Sequence, residues 1–508
     1  MHRIVLATAV LPLLCCGTLG GCTMGPDFKS PSWPAPSAWN STPAKPAASR
    51  PEVAPIDPAW WSLFHDDELT ALEQRVAKEN LDVRVATIRL AESRAQLGIV
   101  SADKYPTFES NASYQRQKAS NNGVFSGLGT DAVGSGGNGA AGSAAGGVKG
   151  GSLAAFDTYQ YGFDASWEVD LWGKVRRSVE ASNSDVTASA EARRDTLLTS
   201  LAEVARDYLQ LRGVQARLDI ARNNLKTAQE SQELTRERAE GGVTTDLDVA
   251  TASAQVATFA AQIPPLQQQA RELINALSLL LGQPPQALSD ELAAEQPIPP
   301  VPPRIPVGLP SELARRRPDI READAQLHAA TATIGVAEAN FYPSFTLTGS
   351  AGIQGLQPWN LFTLNSLLYA FGPSINIPIF EGGRLTSTLT LRQEQQKEAA
   401  VNYQRTVLNA WHEIDNSLSA YDAEQRRHDQ LAEAVTQNLR AVSLAQSRYQ
   451  QGVADFLQVL DAQRNLFATQ QELAISTATV DTDLVAIYKA LGGGWEIDFP
   501  EQQSVAAK

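Results

Sequence analysis

The sequence predicts a mainly α-helical, internally duplicated fold in which each chain contributes four strands to a shared membrane β-barrel. Three observations carry that expectation. The chain repeats itself: setting Gly173 on Gly383 and Lys174 on Arg384 fixes an offset of 210 residues, which also joins Gly242 to Gly452. A second offset, 237, aligns 80–106 with 317–343, so that Asp82, Arg84, Leu90, Gly98, Tyr105 and Pro106 meet Asp319, Arg321, Leu327, Gly335, Tyr342 and Pro343. Short segments beside these repeats alternate polar and apolar residues with period two, and two stretches of 67 residues contain no proline.

The chain has 508 residues, long for one ordinary core. It begins Met-His-Arg, runs through the apolar residues 4–14 and reaches "LGGC" at 19–22. A basic start, a short apolar run and small residues describe a secretory signal over 1–21. "LGGC" also fits a bacterial lipobox, which makes Cys22 the acylated first residue of the mature chain; a plain signal peptide cut nearby is the alternative. Thr23, standing where an aspartate would hold a lipoprotein back, favours passage to the outer membrane. All three cysteines (15, 16 and 22) lie here, so the exported part has no disulfide and no thiol chemistry. Residues 22–65 read as an extended, proline-rich segment.

Net charge is −14, and about −15 once Arg3 leaves with the signal, which argues against nucleic acid as a partner. No run of 18 apolar residues follows residue 22, so no membrane helix is expected. Any entry into lipid other than an acyl chain would have to use strands.

The first repeat, 66–281, supplies two of them, at about 108–116 and 158–172. In 158–172 Tyr159, Tyr161, Phe163, Ala165, Trp167, Val169 and Leu171 share one face, and Gln160, Asp164, Glu168 and Asp170 share the other. The second repeat, 311–494, supplies strands at about 344–353 and 371–380. Between the first two strands "SGGNGAAGSAAGGVKGG" (135–151) accounts for the 27 residues by which the two offsets differ; it is a Gly/Ala/Ser loop with nothing to bury. A half-buried sheet in a soluble domain is the alternative, but a charged polar face suits a wet lumen. Four strands cannot close a barrel, and an open edge in lipid leaves backbone groups unpaired at several kcal/mol each. Three copies would give twelve strands.

The long helices are expected over 174–240 and 384–450, each about 100 Å at 1.5 Å per residue. A seam of Leu197, Leu201, Val204, Tyr208 and Leu211 steps 4,3,4,3, and Val407, Trp411, Ile414, Leu418 and Tyr421 repeat it. The tips fall at 241–245 and 451–454, with Gly241, Gly242 and Gly452 as turn residues. Return helices are expected over 246–281 and 455–490, stacked with shorter helices at 318–340 and 82–104. The nine prolines of 282–310 forbid a helix there, and 495–508 form a tail.

With these residues in view, the chain resembles the TolC-like outer membrane efflux proteins, the outer membrane factors, closest to the lipoprotein branch serving RND pumps. The resemblance rests on "LPSELARRRPDIREAD" (309–324), "ANFYPSF" (339–345), "FEGGR" (380–384), "RYQQGVADFLQVLDAQRNLF" (448–467) and "YKALGGGWE" (488–496). It implies a homotrimer with a twelve-stranded outer-membrane barrel and a long periplasmic helical barrel, docked at its tip to a periplasmic adaptor and an inner-membrane pump. The activity implied is passive conduction of drugs, solvents, metals or small metabolites, with no cofactor. The family's pore-closing Leu and Asp match Leu457 and Asp461, and its latching tyrosine and aspartate match Tyr449 and Asp248. The arginine that completes the latch is replaced by Ala454, and a second aspartate by Gln458.

Three Asp461 carboxylates about 5 Å apart would repel by about 3 kcal/mol per pair at an effective dielectric near 20. They would favour cations and dilation, opposed by dry contact between Leu457 side chains. Asp246 and Asp248 have a second reading, as cap and dipole partners just after a helix start.

An enzyme has little support: five scattered histidines show no metal-ligand spacing, and no phosphate-binding G-x-x-x-x-G-K-[ST] occurs. A coiled-coil surface adhesin would carry one terminal barrel region, not strands placed twice. The outer channel of a type I protein-secretion system is the nearer rival; the lipobox and "LPSELARRRPDI" favour efflux.

Overall fold

The computed structural model describes residues 23–31, 49–52, 54–118, 155–308 and 316–500. Cys22, the Gly/Ala-rich 123–152 segment, "LPSELAR" (309–315) and the tail beyond 500 lie outside the described residues. The chain forms two compact units: 1–27, 98–180 and 332–393 in one, 28–97, 181–331 and 394–508 in the other.

The first unit is organised by a four-stranded antiparallel sheet of β2 (Thr107–Gln117), β3 (Phe156–Val169), β5 (Ser344–Gly355) and β6 (Leu367–Asn376), in that order. Thr107 stands opposite Ser166, and Ser344 opposite Asn376. Adding 237 and 210 to the first pair gives the second, so the duplication holds residue for residue in both hairpins. Phe108, Tyr114, Phe163, Leu347, Phe371 and Ile375 are exposed although apolar. Among the described residues no protein core lies beneath their face, as membrane strands require and a soluble half-buried sheet does not.

Two strands end differently from expectation. β3 stops at Val169 rather than Trp172, because the Asp170 carboxylate turns to accept the amides of Val175 (3.2 Å) and Arg176 (2.9 Å) and so starts the next helix. β6 runs over 367–376 rather than 371–380. Its pairing with β5 ends at Ser344, and Pro378 beyond has no amide hydrogen to donate. Alternation alone cannot fix such a limit, since sliding along a strand by an even number keeps the same face.

At the sheet's base Trp172 stacks on Tyr342 (4.9 Å between centroids) and donates its indole N–H to the Pro343 carbonyl at 2.8 Å. The chain from Thr23 is tied to the same place. Met24 N donates to Trp172 O, and the buried Arg177 donates to Met24 O, Gly25 O and the Asp27 carboxylate. Gly173 has φ +80°, and a Cβ there would meet Thr23 Cα at 2.9 Å.

The second unit is helical, apart from β1 (Arg50–Glu52) pairing in parallel with β4 (Arg304–Pro306). Its helices, some of which run on into the first unit, are α1 (Asp67–Glu79), α2 (Leu81–Ala102), α3 (Lys174–Glu240), α4 (Asp246–Ala260), α5 (Ile263–Leu280), α6 (Ser289–Leu292), α7 (Pro318–Ala339), α8 (Arg384–Gln450) and α9 (Phe456–Leu491). The α3 seam, Leu197, Leu201, Val204, Tyr208 and Leu211, is buried in one cluster with Ile414, Leu418 and Tyr421 of α8 and Leu484, Ile487 and Tyr488 of α9. Trp60 closes this core by stacking on Tyr488; against the expectation of an extended 22–65, residues Trp60–Phe64 form a tight helical turn, because Trp60, Trp61 and Phe64 are all buried in the core. Burying one such Leu contributes about 2 kcal/mol, so a seam of five per copy is enough to hold otherwise polar helices side by side.

The first return helix is not continuous, contrary to expectation. It divides into α4 and α5 at Ala261-Gln262, and Pro264-Pro265 follow at the first helical positions of α5. Two adjacent prolines cannot donate to the preceding turn but fit a helix start. The second copy has no such pair, and α9 is unbroken. The segment 282–310 also departs from expectation: α6 forms one helical turn in it, because Ser289–Leu292 lie in the stretch between Pro285 and Pro297 that holds no proline.

At its C-terminal end α9 stops at Gly492, φ +74°, whose amide bonds the carbonyls of Lys489 and Tyr488. The chain then folds back. Trp495 is covered by the guanidiniums of Arg194 (4.6 Å) and Arg321 (5.4 Å), and Glu496 accepts from Arg316 and from Gly494 N. The buried Arg317 donates to Ala490 O (2.7 Å), Glu413 (2.7 Å) and Asp319 (3.0 and 2.8 Å).

Candidate functional site

The two helix tips lie in the second unit and are built alike. α3 ends with Gly242 at φ +72°, Gly242 N bonding Ala239 O and Val243 N bonding Arg238 O. α8 ends with Gly452 at φ +74°, Gly452 N bonding Tyr449 O and Val453 N bonding Arg448 O. Each glycine takes the left-handed turn that ends a helix and reverses the chain. Val243 and Val453, at the same offset of 210, are both exposed at the turns.

The next helices start differently. Thr245 and Asp248 form a reciprocal capping box at the start of α4: Asp248 N donates to the Thr245 hydroxyl, and Thr245 N donates to the Asp248 carboxylate. The hydroxyls of Thr244 and Thr245 donate to the same carboxylate oxygen. The Thr244 bond, with the amide and hydroxyl of Thr245, holds the Asp248 carboxyl below the usual range. At α9 the N-cap is Asp455, whose side chain makes no cap bond.

Tyr449 is buried against Ala252, Phe456 and Val459. Its ring lies 5.4 Å from Phe456 and 4.6 Å from the Arg238 guanidinium, which also donates to the Tyr449 carbonyl at 2.8 Å. Its hydroxyl has no hydrogen-bond partner among the described residues. Within one chain, therefore, Tyr449 and Asp248 are not joined: Asp248 serves its own turn, and Tyr449 is gripped by ring face and carbonyl. Arg238 makes that grip, a cation–π contact worth about 1 kcal/mol, and sequence reading missed it. Its only advance sign is its place three residues before the first tip glycines.

Leu457 and Asp461 lie one turn apart on α9, and both side chains are exposed. Neighbouring positions on α9 face inward instead: Gln463 donates to the Ser231 hydroxyl at 2.9 Å, and Val459 and Leu460 are buried. Leu457 and Asp461 are thus presented outward from a face braced behind. At offset 210 Leu457 matches Leu247, also exposed, while Asp461 matches Thr251. The duplication could have singled out Leu247 in advance. Among the described residues no group of three His, Cys, Asp or Glu side chains could hold a metal ion, and no helix is long and apolar enough to cross a membrane.

The outer membrane efflux protein family model matches residues 72–283 and 309–493, more than half of the chain. The chain is 33% identical over 506 residues to a probable efflux pump outer membrane protein, TtgC of Pseudomonas putida, covering 97% of this chain and 96% of that one. It is 33% identical over 495 residues to the pyoverdine export outer membrane protein OpmQ of Pseudomonas aeruginosa, covering 97% and 98%. The solved outer-membrane channel OprN superposes with a TM-score of 0.83 at 32% identity, over 94% of this chain and all of that one. With both copies of the repeat matched in sequence and in structure, the chain belongs to the outer membrane efflux protein family.

Proposed function

We propose that three copies of this chain form a passive outer-membrane conduit for small molecules, receiving them from a periplasmic adaptor and an inner-membrane pump. The observation that carries the proposal is the sheet of the first unit. Its four strands have an uncovered apolar face, and β2 and β6 each have only one neighbour among the described residues. Such a sheet is stable in lipid only when its two edges find partners. The energy comes from the pump, and no catalytic step belongs to this chain. The names of the relatives speak of efflux and export, which favours this reading over a protein-secretion channel. Leu457 and Asp461 close the periplasmic end, assisted by Tyr449 and Asp248, and the exposed turns at Val243 and Val453 meet the adaptor.

Purified protein in planar bilayers is expected to give discrete conductance steps from particles with the mass of three chains. A stably folded single subunit without conductance would overturn the proposal.

We also infer that Cys22 carries the lipid anchor. Thr23, the next residue, is held against Gly173 at the base of the sheet, where strands end and α3 begins. The place of Thr23 at the base of the sheet supports an anchor on the residue before it. Cys22→Ser is expected to abolish palmitate labelling while leaving trimer assembly intact. Labelling that persists in the variant would remove the assignment.

A further inference from the structure

The helical unit holds a pocket of about 280 Å³ between α8, α9 and the proline-rich stretch 298–301. Pro299, Pro300, Val301 and Val480 give it an apolar lining, and Gln425 of α8 and Asp481 of α9 are its buried polar groups. Asp481 is 1% exposed, and neither of its carboxylate oxygens has a hydrogen-bond partner among the described residues. The Gln425 amide is half used: its oxygen accepts from Ser49 N at 3.1 Å, and its nitrogen has no partner among the described residues. Pro299 and Pro300 carry no amide hydrogen, so that stretch of the wall offers the carboxylate no backbone donor.

The duplication supplies a comparison inside the same chain. At offset 210 Gln425 matches Gln215, and Asp481 matches Arg271. Gln215 is engaged at both ends: its amide nitrogen donates to Leu292 O at 2.8 Å, and its oxygen accepts from Arg212 at 2.7 Å. Arg271 is exposed and bonds within its own helix, to Gln267 O. The second copy therefore buries an unpartnered carboxylate where the first carries a solvated cation. Nothing in the repeat requires that exchange, and a buried carboxylate without donors is unfavourable on its own. Burial alone pushes the Asp481 carboxyl well above its ordinary range, and an ammonium beside it would favour the ionised form.

We propose that this pocket binds a small organic ammonium ion, with Asp481 taking the charge, the proline and valine walls taking the apolar body, and Gln425 as the second polar contact. The more exposed His428 and Asp429 also line the pocket, 3.8 Å apart. Asp429 offsets any charge on that imidazole, which leaves Asp481 to set the sign of the ligand. Size limits the body as well. A cavity of about 150 Å³ accommodates benzene, so this one admits a single ring with a short aminoalkyl arm. Asp481 lies 20 residues along α9 from Asp461, about 30 Å at 1.5 Å per residue, which separates the site from the helix tips.

Titration calorimetry of the detergent-solubilised full chain at neutral pH, with 2-phenylethylamine and with the neutral 2-phenylethanol of the same shape, tests the site. The amine is expected to bind about tenfold more tightly than the alcohol, the increment of one hydrogen bond to a charged group. Asp481→Asn keeps the shape of the side chain and should erase that preference while leaving weak binding of the alcohol. Asp481→Leu replaces the buried carboxylate by an apolar group of similar volume, a change that folded proteins tolerate well, and should erase it too. Equal binding of amine and alcohol to the wild type would make the pocket an apolar cavity without charge recognition. A preference that survives both substitutions would place the amine elsewhere on this acidic chain, and binding of neither compound would leave the pocket to water. Each of these three results overturns the assignment.

Discussion

Replacing Leu457 and Asp461 together by alanine is expected to raise single-channel conductance in planar bilayers about tenfold. Both side chains are exposed on one face of α9 among the described residues. If three such faces meet on an axis, the leucines exchange water for one another. Truncating each leucine then forfeits about 2 kcal/mol of burial, more than the 1.4 kcal/mol that moves a closed–open equilibrium tenfold. The aspartates act in the opposite direction, since three like charges about 5 Å apart repel by about 3 kcal/mol per pair. Leu457→Ala alone should therefore account for most of the opening. Asp461→Ala alone should lower preference for cations over anions, because it removes the charge that concentrates them. Unchanged conductance in the double variant would remove the gate assignment; unchanged selectivity in Asp461→Ala would remove the ring.

What the sequence makes legible here is periodicity. The 4,3,4,3 seam and the two repeat offsets are linear patterns, and the long helices and the strand register follow from them. What it hides are bonds between residues with no fixed spacing. Asp248 reads equally well as a latch or a cap, and only the positions of Thr244 and Thr245 decide that one chain uses it as a cap. Arg238 finds the Tyr449 ring 211 residues away, where no local pattern points. The break between α4 and α5 is of another kind. Pro264-Pro265 stand at the start of α5, and their local chemistry outweighs the equal length of the second copy's return helix, which runs unbroken. Two of the motifs that carry the resemblance, "RRRPDIREAD" and "GGGWE", prove to be halves of one lock: Arg316 reaches Glu496, and Arg321 covers Trp495.

Arg317, at the centre of that lock, is the side chain whose loss should cost the fold most. It is buried, and its guanidinium forks to Asp319, to Glu413 and to the last carbonyls of α9 at Ala490. Arg317→Ala leaves a buried carbonyl without a donor and two carboxylates without their cation; with the carboxylates partly solvated, the loss is about 3 kcal/mol. Two further acids feel the change. Burial first, then Asp319, pushes Asp195 up to about 6 despite Arg317, and burial with Asp195, Asp319 and Glu191 pushes Glu322 up to about 7. Carboxyls raised in the folded state weaken it as pH climbs from their unfolded values near 4 through 6 and 7, and the penalty vanishes when they are protonated in both states. Removing Arg317 raises Asp195 further, so the variant should be most destabilised near pH 8 and distinctly less so near pH 5. Arg317→Lys should recover only part of the loss, since one ammonium cannot span both carboxylates and the Ala490 carbonyl. Thermal unfolding of the detergent-solubilised protein at the two pH values measures this. A wild-type midpoint at pH 8 would refute the lock, and an equal loss at both pH values would assign it to packing rather than charge.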